Sequence, residues 1–227
     1  MYQVMGWKAL AGISAALTLI IFGVWWFVAT PVNAWDYFSI GLRSITIAIT
    51  VLAFLGETVP LIPWVASWAV VQKFFPTTLP HLDGQWRAKL TSNWPTIAKA
   101  HKLPDGADGP IFAQVRIKVR LFTLRVELTS DTKYSESKTE AVRVLRNLDD
   151  GDIRLHYIYW NDSPEAKETD SGNHRGAASL KLKRPDGAQP FLEGHYWTNR
   201  NWEKGLNTAG RIQMWRKGDP DSEAEVA

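Results

Sequence analysis

From residue 9 to residue 29 the chain runs for 21 residues without a charged side chain. At about 1.5 Å per residue, a helix of that length reaches roughly 32 Å, the thickness of a bilayer's hydrocarbon core. That segment fixes the front of the molecule as membrane-associated. Trp7 stands at one end, and Trp25, Trp26 and Trp35 at the other, where aromatic belts meet the two interfaces. The competing reading is a cleaved signal peptide ending at Val32-Asn33-Ala34. A signal core is only about 7–15 residues long, and a second apolar stretch follows, so a retained span is favoured.

The second stretch covers residues 37–75 and is interrupted by Glu57, Pro60 and Pro63. It predicts one span within 37–62, then a bent or interfacial helix over 63–75 that sets Trp64 and Trp68 on one face. Arg43 or Glu57 must snorkel to a membrane edge. Lys8 precedes the first span, Lys73, Arg87 and Lys89 follow the apolar region, and the connector at 30–36 carries only Asp36. The positive-inside rule then places both ends in the cytoplasm of a multi-pass inner-membrane protein. A third span at 63–75 would instead turn the C-terminal part outward. Gly12 and Ala16 form a small-xxx-small pair that lets helices approach closely.

Composition divides the chain in the same place. Only Lys8, Asp36, Arg43, Glu57 and Lys73 are charged in residues 1–80, whereas the whole chain holds 26 Lys+Arg and 23 Asp+Glu. Residues 1–76 therefore read as a transmembrane region, 81–217 as a water-soluble domain and 218–227 as a polar tail. The net charge of +3 is too small for a DNA or RNA duplex-binding surface. Zero Cys excludes disulfides, thiol nucleophiles and Cys-ligated metals. None of His81, His101, His156, His174 and His195 has metal-ligand spacing with another. Phosphate-loop, dinucleotide and nucleophile-elbow motifs are absent. No catalytic set, metal site or resident cofactor is predicted, and the chain reads as a non-enzyme.

After Pro80 the apolar pattern changes to period two. Trp86, Ala88 and Leu90 alternate with Arg87 and Lys89, and Ala113, Val115, Ile117 and Val119 alternate with Gln114, Arg116 and Lys118. The phase slips at Phe122-Thr123, which predicts a turn or bulge before Leu124, Val126 and Leu128. Further strands are predicted at 141–147, 153–160, 177–183, 191–199 and 210–217, with one helix at 94–101 opened by Pro95. About eight short antiparallel strands fit a barrel or a sandwich equally well. Leu155, Tyr157 and Tyr159 share one strand face, and Tyr196, Thr198 and Arg200 share parity on another. Aromatic faces beside hydroxyls and a guanidinium suit a nucleotide, with rings for bases and a fork for phosphate. A packed core with a turn arginine has the same pattern.

Several motifs follow one another in order: Leu155-x-Tyr157-x-Tyr159-x-Asn161-x-x-Pro164, His174-x-Gly176-x-Ala178-x-Leu180, Leu192-x-Gly194-x-Tyr196-Trp197-Thr198-x-Arg200 and Thr208-x-Gly210-x-Ile212. Ser135 and Ser137 precede them. Together with the N-terminal spans, this order resembles the two-transmembrane β-barrel effectors of bacterial cyclic-oligonucleotide anti-phage signalling (CBASS). The resemblance implies N-terminal transmembrane helices followed by an eight-stranded antiparallel lipocalin-like β-barrel. It implies a cyclic dinucleotide as activating ligand, ligand-promoted self-association in the bilayer, membrane disruption and death of the infected cell. By position, Tyr196, Thr198 and Arg200 fall in the family's late barrel motif and Thr208 in its last-strand motif. Tyr157 and Tyr159 complete the candidate ligand-binding set. The link at 201–207 is longer here than in the family. The alternatives are a membrane-tethered barrel for a lipid or other hydrophobe, and a structural subunit of an envelope complex.

Overall fold

The computed structural model describes residues 7–58, 82–103, 109–120, 122–132, 135–146, 152–163, 171–184 and 189–218. They form two compact units, a helical pair and a β-domain. The predicted helix at 63–75 lies outside the described residues.

The helical pair is α1 (Trp7–Ala29) and α2 (Ala34–Thr58), both long and apolar enough to cross a membrane. Leu19, Ile20, Phe27 and Val28 of α1 are 65–84% exposed, a surface that water would not tolerate and lipid would. α2 starts three residues before the predicted Tyr37 because a reciprocal cap sets its first turn. The Asp36 N–H donates to Asn33 Oδ1 (2.9 Å), while Asp36 Oδ2 accepts from the N–H groups of Asn33 (3.3 Å) and Val32 (3.2 Å). Ile40, Ser44, Ala48, Leu52 and Gly56, each four residues from the last, are the buried stripe of α2. The Ser44 hydroxyl donates to the Ile40 carbonyl at 2.8 Å, so its burial leaves no polar atom unsatisfied. Gly12 takes no part in this packing: a Cβ there would meet nothing within 4 Å. The close approach uses small residues of α2 instead.

The β-domain is a closed barrel in strand order β1 to β8, which resolves the barrel-or-sandwich ambiguity. The strands are β1 (Gly84–Ser92), β2 (Ile111–Val119), β3 (Leu124–Ser130), β4 (Glu136–Arg146), β5 (Ile153–Asp162), β6 (Asn173–Lys183), β7 (Phe191–Thr198) and β8 (Ala209–Arg216). A helix, α3 (Trp94–His101), links β1 to β2, as Pro95 predicts, and its Trp94 N–H donates to Ser92 Oγ at 3.1 Å. The phase slip at 122–123 is a turn between β2 and β3. The bulge lies elsewhere, at Thr139/Ala141 in β4. There the Thr139 hydroxyl both donates to the carbonyl and accepts from the N–H of Val126, at 2.8 Å each, standing in for a lost ladder pair. Among the described residues, β3 pairs with β4 over Glu127–Thr129 against Glu136–Lys138, continued by the Ser130 N–H on the Ser135 carbonyl (3.1 Å), while β4 and β5 pair along Glu136–Arg146.

Close approach requires glycine at Gly176, Gly194 and Gly210, and at Gly194 a Cβ would collide with the Ser179 carbonyl. Gly210 faces the Thr91 carbonyl so tightly that a Cβ would collide with it. Gly176, paired with Tyr159, lies directly under the Tyr159 ring. Gly176→Ala is expected to destabilise the barrel by about 1–3 kcal/mol through overpacking. Thermal unfolding checks this, and Tyr159→Leu in the same chain should recover part of the loss.

Candidate functional site

The barrel's interior is divided along its axis. Leu155, Leu180, Leu192, Ile212 and Met214 are at most 1–2% exposed and fill one end and the middle. Among the described residues, the buried polar side chains of the barrel, Ser130, Ser137, Asn161, Ser163, Thr198 and Thr208, belong to the opposite end. Register explains the grouping. Ser137 pairs with Asn161, Asn161 with His174, Gly176 with Thr198, and Gly210 with Ser92. The same end carries α3 and the β3–β4, β5–β6 and β7–β8 links.

Tyr157, Tyr159 and Tyr196 line the boundary between the two regions. The sequence parity is right: all three point inward, while Arg154 lies on the exposed face and His156 is half-buried on it. The rings of Tyr157 and Tyr159 lie 5.8 Å apart, and Tyr196 pairs with Ala178 and Gly210. They are only 5%, 9% and 7% exposed. Their faces are packed rather than presented, so stacking a base on Tyr157 or Tyr196 requires the ring to turn aside. Burial raises the pKa of each phenol above its ordinary value. At Tyr159 the neighbouring phenols add to that rise, whereas at Tyr196 a hydrogen bond with Ser92 and the nearby Arg200 charge oppose it.

Thr198 and Thr208 hold each other. Their hydroxyl oxygens are 3.0 Å apart, the Thr208 N–H donates to Thr198 Oγ1 (3.2 Å), and the Thr198 N–H donates to the Thr208 carbonyl (2.8 Å). This clamp closes the base of the link that carries Arg200. The link itself makes a 3-10 turn at Trp202–Lys204, bounded by left-handed Asn201 and Gly205. Arg200 is half-buried, with its guanidinium carbon 5.1 Å from the Trp94 ring centroid and its N–H donating to Thr198 Oγ1 at 3.4 Å. An indole thus holds a cation beside Tyr196 at the polar end. Thr198 and Thr208 position this arginine rather than present free hydroxyls.

Ser92, Trp94, Ser130, Ser137, Asn161 and Ser163 join the candidate set from the structure. The inward parity of Tyr157 and Tyr159 continues through Asn161 and Ser163, a signal that the sequence carries. The contribution of Trp94 has no counterpart in spacing. Chemically, the polar end offers hydroxyls, an amide, phenols and one guanidinium. No group of three His, Cys, Asp or Glu that could hold a metal occurs among the described residues.

A closed eight-stranded barrel with a polar, aromatic end defines the class of small-ligand-binding β-barrels. Within that class the chain belongs to one family. The family described as "Cap15, cyclic dinucleotide receptor domain" matches residues 77–216. The chain is also 26% identical over 217 residues to CD-NTase-associated protein 15 of Escherichia albertii, covering 94% of this chain and 97% of that protein. Both findings fit the CBASS effector resemblance that the motif order suggests.

The buried phenols set an alkaline limit on stability. Their folded pKa values lie above the ordinary 10.0, so the unfolded chain releases protons first as pH rises. Their contribution is complete below pH 10 and is lost as pH climbs through the higher folded values. Unfolding midpoints should fall above pH 10, and Tyr157→Phe should flatten that fall.

Proposed function

We propose that the chain is a membrane-anchored CBASS receptor and effector, sensing a ligand rather than turning one over. The barrel binds a cyclic dinucleotide at its polar end. Loaded barrels then associate, and the tethered helices, concentrated in two dimensions, disrupt the inner membrane. The observation that carries the reading is Arg200, held over Trp94 beside Tyr196 and the buried hydroxyls, in a domain of the cyclic dinucleotide receptor family. A guanidinium is suited to a phosphodiester, and the hydroxyls and phenols to base edges and faces. The charges flanking the apolar helices support a cytoplasmic barrel, where such a ligand would be met. The open space around Gly12 is what a helix contact between copies needs.

A thermal-shift series with cyclic dinucleotides tests the reading. A ligand at 100 times its Kd should add about 2.7 kcal/mol of stability. Arg200→Ala should weaken binding by about 1.5–3 kcal/mol and leave the barrel folded. Unchanged affinity in the folded variant would remove Arg200 from the site. A version lacking residues 1–75 should bind the ligand and be harmless to cells, and the anchored Arg200→Ala protein should be harmless too. Toxicity of the soluble barrel alone would refute this division of labour.

A further inference from the structure

The outer wall of the barrel is not uniformly polar. Register aligns Ala141, Ile158, Ala177, Trp197 and Ala209 in one row across β4 to β8. Ile158 is 46% and Trp197 50% exposed. The row is invisible along the chain, where each member has charged or polar neighbours nearby, because only the sheet brings these residues together. The adjacent row, two residues along each strand, is Arg143, His156, Ser179, His195 and Arg211. Beyond it lie Arg154 and Lys181, paired with each other in the ladder. An open groove of about 420 Å³ runs over Arg154, Ser179, Glu193, His195 and Arg211.

Among the described residues, the charge on this face is predominantly positive. Arg143, Arg154 and Arg211 make no ion pair among the described residues, whereas Lys181 is paired with Asp152. The acidic side chain in the groove, Glu193, is committed to Lys183 at 3.1 Å. A second copy docking by the same face would set its three arginines against these, with Glu193 and Asp152 already engaged by lysines, so self-docking is disfavoured. The face calls for an anionic partner that also accepts an indole and an isoleucine. A bilayer surface has both properties: phosphate headgroups and an interfacial zone in which Trp is stable. A chain anchored by two spans holds its barrel near that surface at high effective concentration.

We infer that the β4–β8 face of the barrel docks on an anionic lipid headgroup surface, with Trp197 and Ile158 at the interface and Arg143, Arg154 and Arg211 on phosphates. This rests on the reading of α1 and α2 as membrane spans, and not on the identity of the nucleotide ligand. It would fix which way the barrel's polar end looks and which wall remains for contacts between copies.

The chain contains no cysteine, so single labels are straightforward. Ser179→Cys puts a fluorophore in the groove, and Gln114→Cys puts one on exposed β2, across the barrel from β6. The full chain is reconstituted in vesicles of phosphatidylcholine alone, or with about a quarter phosphatidylglycerol, doped with headgroup-nitroxide lipid. Flotation with both vesicle types checks the anchor by itself, and failure to float would overturn the anchor and the docking together. The expected result is quenching at position 179 that exceeds quenching at 114 and is lost without phosphatidylglycerol. It should also be lost in Arg154→Glu/Arg211→Glu and in Trp197→Ser, both melting as the parent does. Equal quenching at the two positions, or independence of lipid charge, would overturn the proposal. A signal at 179 that tracks protein density at fixed lipid composition would assign the face to another protein copy instead.

Discussion

The pairing of β8 with β1, Trp86 opposite Arg216 through Ser92 opposite Gly210, turns a sheet into a tube. Closure pairs β1 with β8, so neither of these end strands is left as a free edge. It also dictates the interior, because every inward side chain must share one narrow bore with those of seven other strands. The Gly210–Thr91 contact shows how tightly the seam is drawn: the chain has given up a side chain there to let two backbones meet. The hydrogen bonds Asn93 N–H to Ala209 carbonyl (2.9 Å) and Ala209 N–H to Asn93 Oδ1 (2.9 Å) extend the seam beyond the strands, to the start of α3.

That seam is why the polar end can exist. An apolar plug of Leu155, Leu180, Leu192, Ile212 and Met214 supplies the burial that holds the barrel, so the other end is free to carry hydroxyls and phenols at a stability cost the plug offsets. Arg200 occupies this end through two separate devices. The threonine clamp fixes where its link leaves the sheet, and α3, anchored at the β1–β8 seam, delivers Trp94 beneath it. Residues distant in sequence thus meet because the tube is closed.

The apolar half of the fold was legible in the sequence because its signal is hydrophobic alternation, and the polar half was dim for the same reason. β2, β3 and β7 begin and end within about two residues of the alternating runs that predict them. β4 begins at Glu136 rather than at Ala141, and β6 at Asn173 rather than at Ala177. In both strands the missed portion has Ser137, Thr139, His174 or Gly176 where an inward apolar residue would be expected. Of these positions, Ser137 belongs to the candidate site, and His174 and Gly176 pair with its Asn161, Tyr159 and Thr198. The ordered motifs pointed to Tyr196 and Arg200, but neither the Thr198–Thr208 clamp nor the Trp94 contact can be read from spacing. They depend on where the β7–β8 link and α3 come to lie on the closed barrel. The Asn33 and Asp36 cap, in contrast, has a local signature, two short polar side chains three residues apart before an apolar run.

Among the described residues, the β3–β4 ladder is interrupted beside Thr139. This pair holds by Glu127–Thr129, by the Ser130 N–H on the Ser135 carbonyl (3.1 Å), and by a threonine hydroxyl in place of the backbone pair on the other side. Side chains can rotate away, whereas ladder bonds must break together. Local opening free energies in a protein follow such differences in cooperative bonding. Beside Ser137 the wall between β3 and β4 is therefore held partly by a side chain, and a strain taken up there leaves the β1–β8 seam untouched.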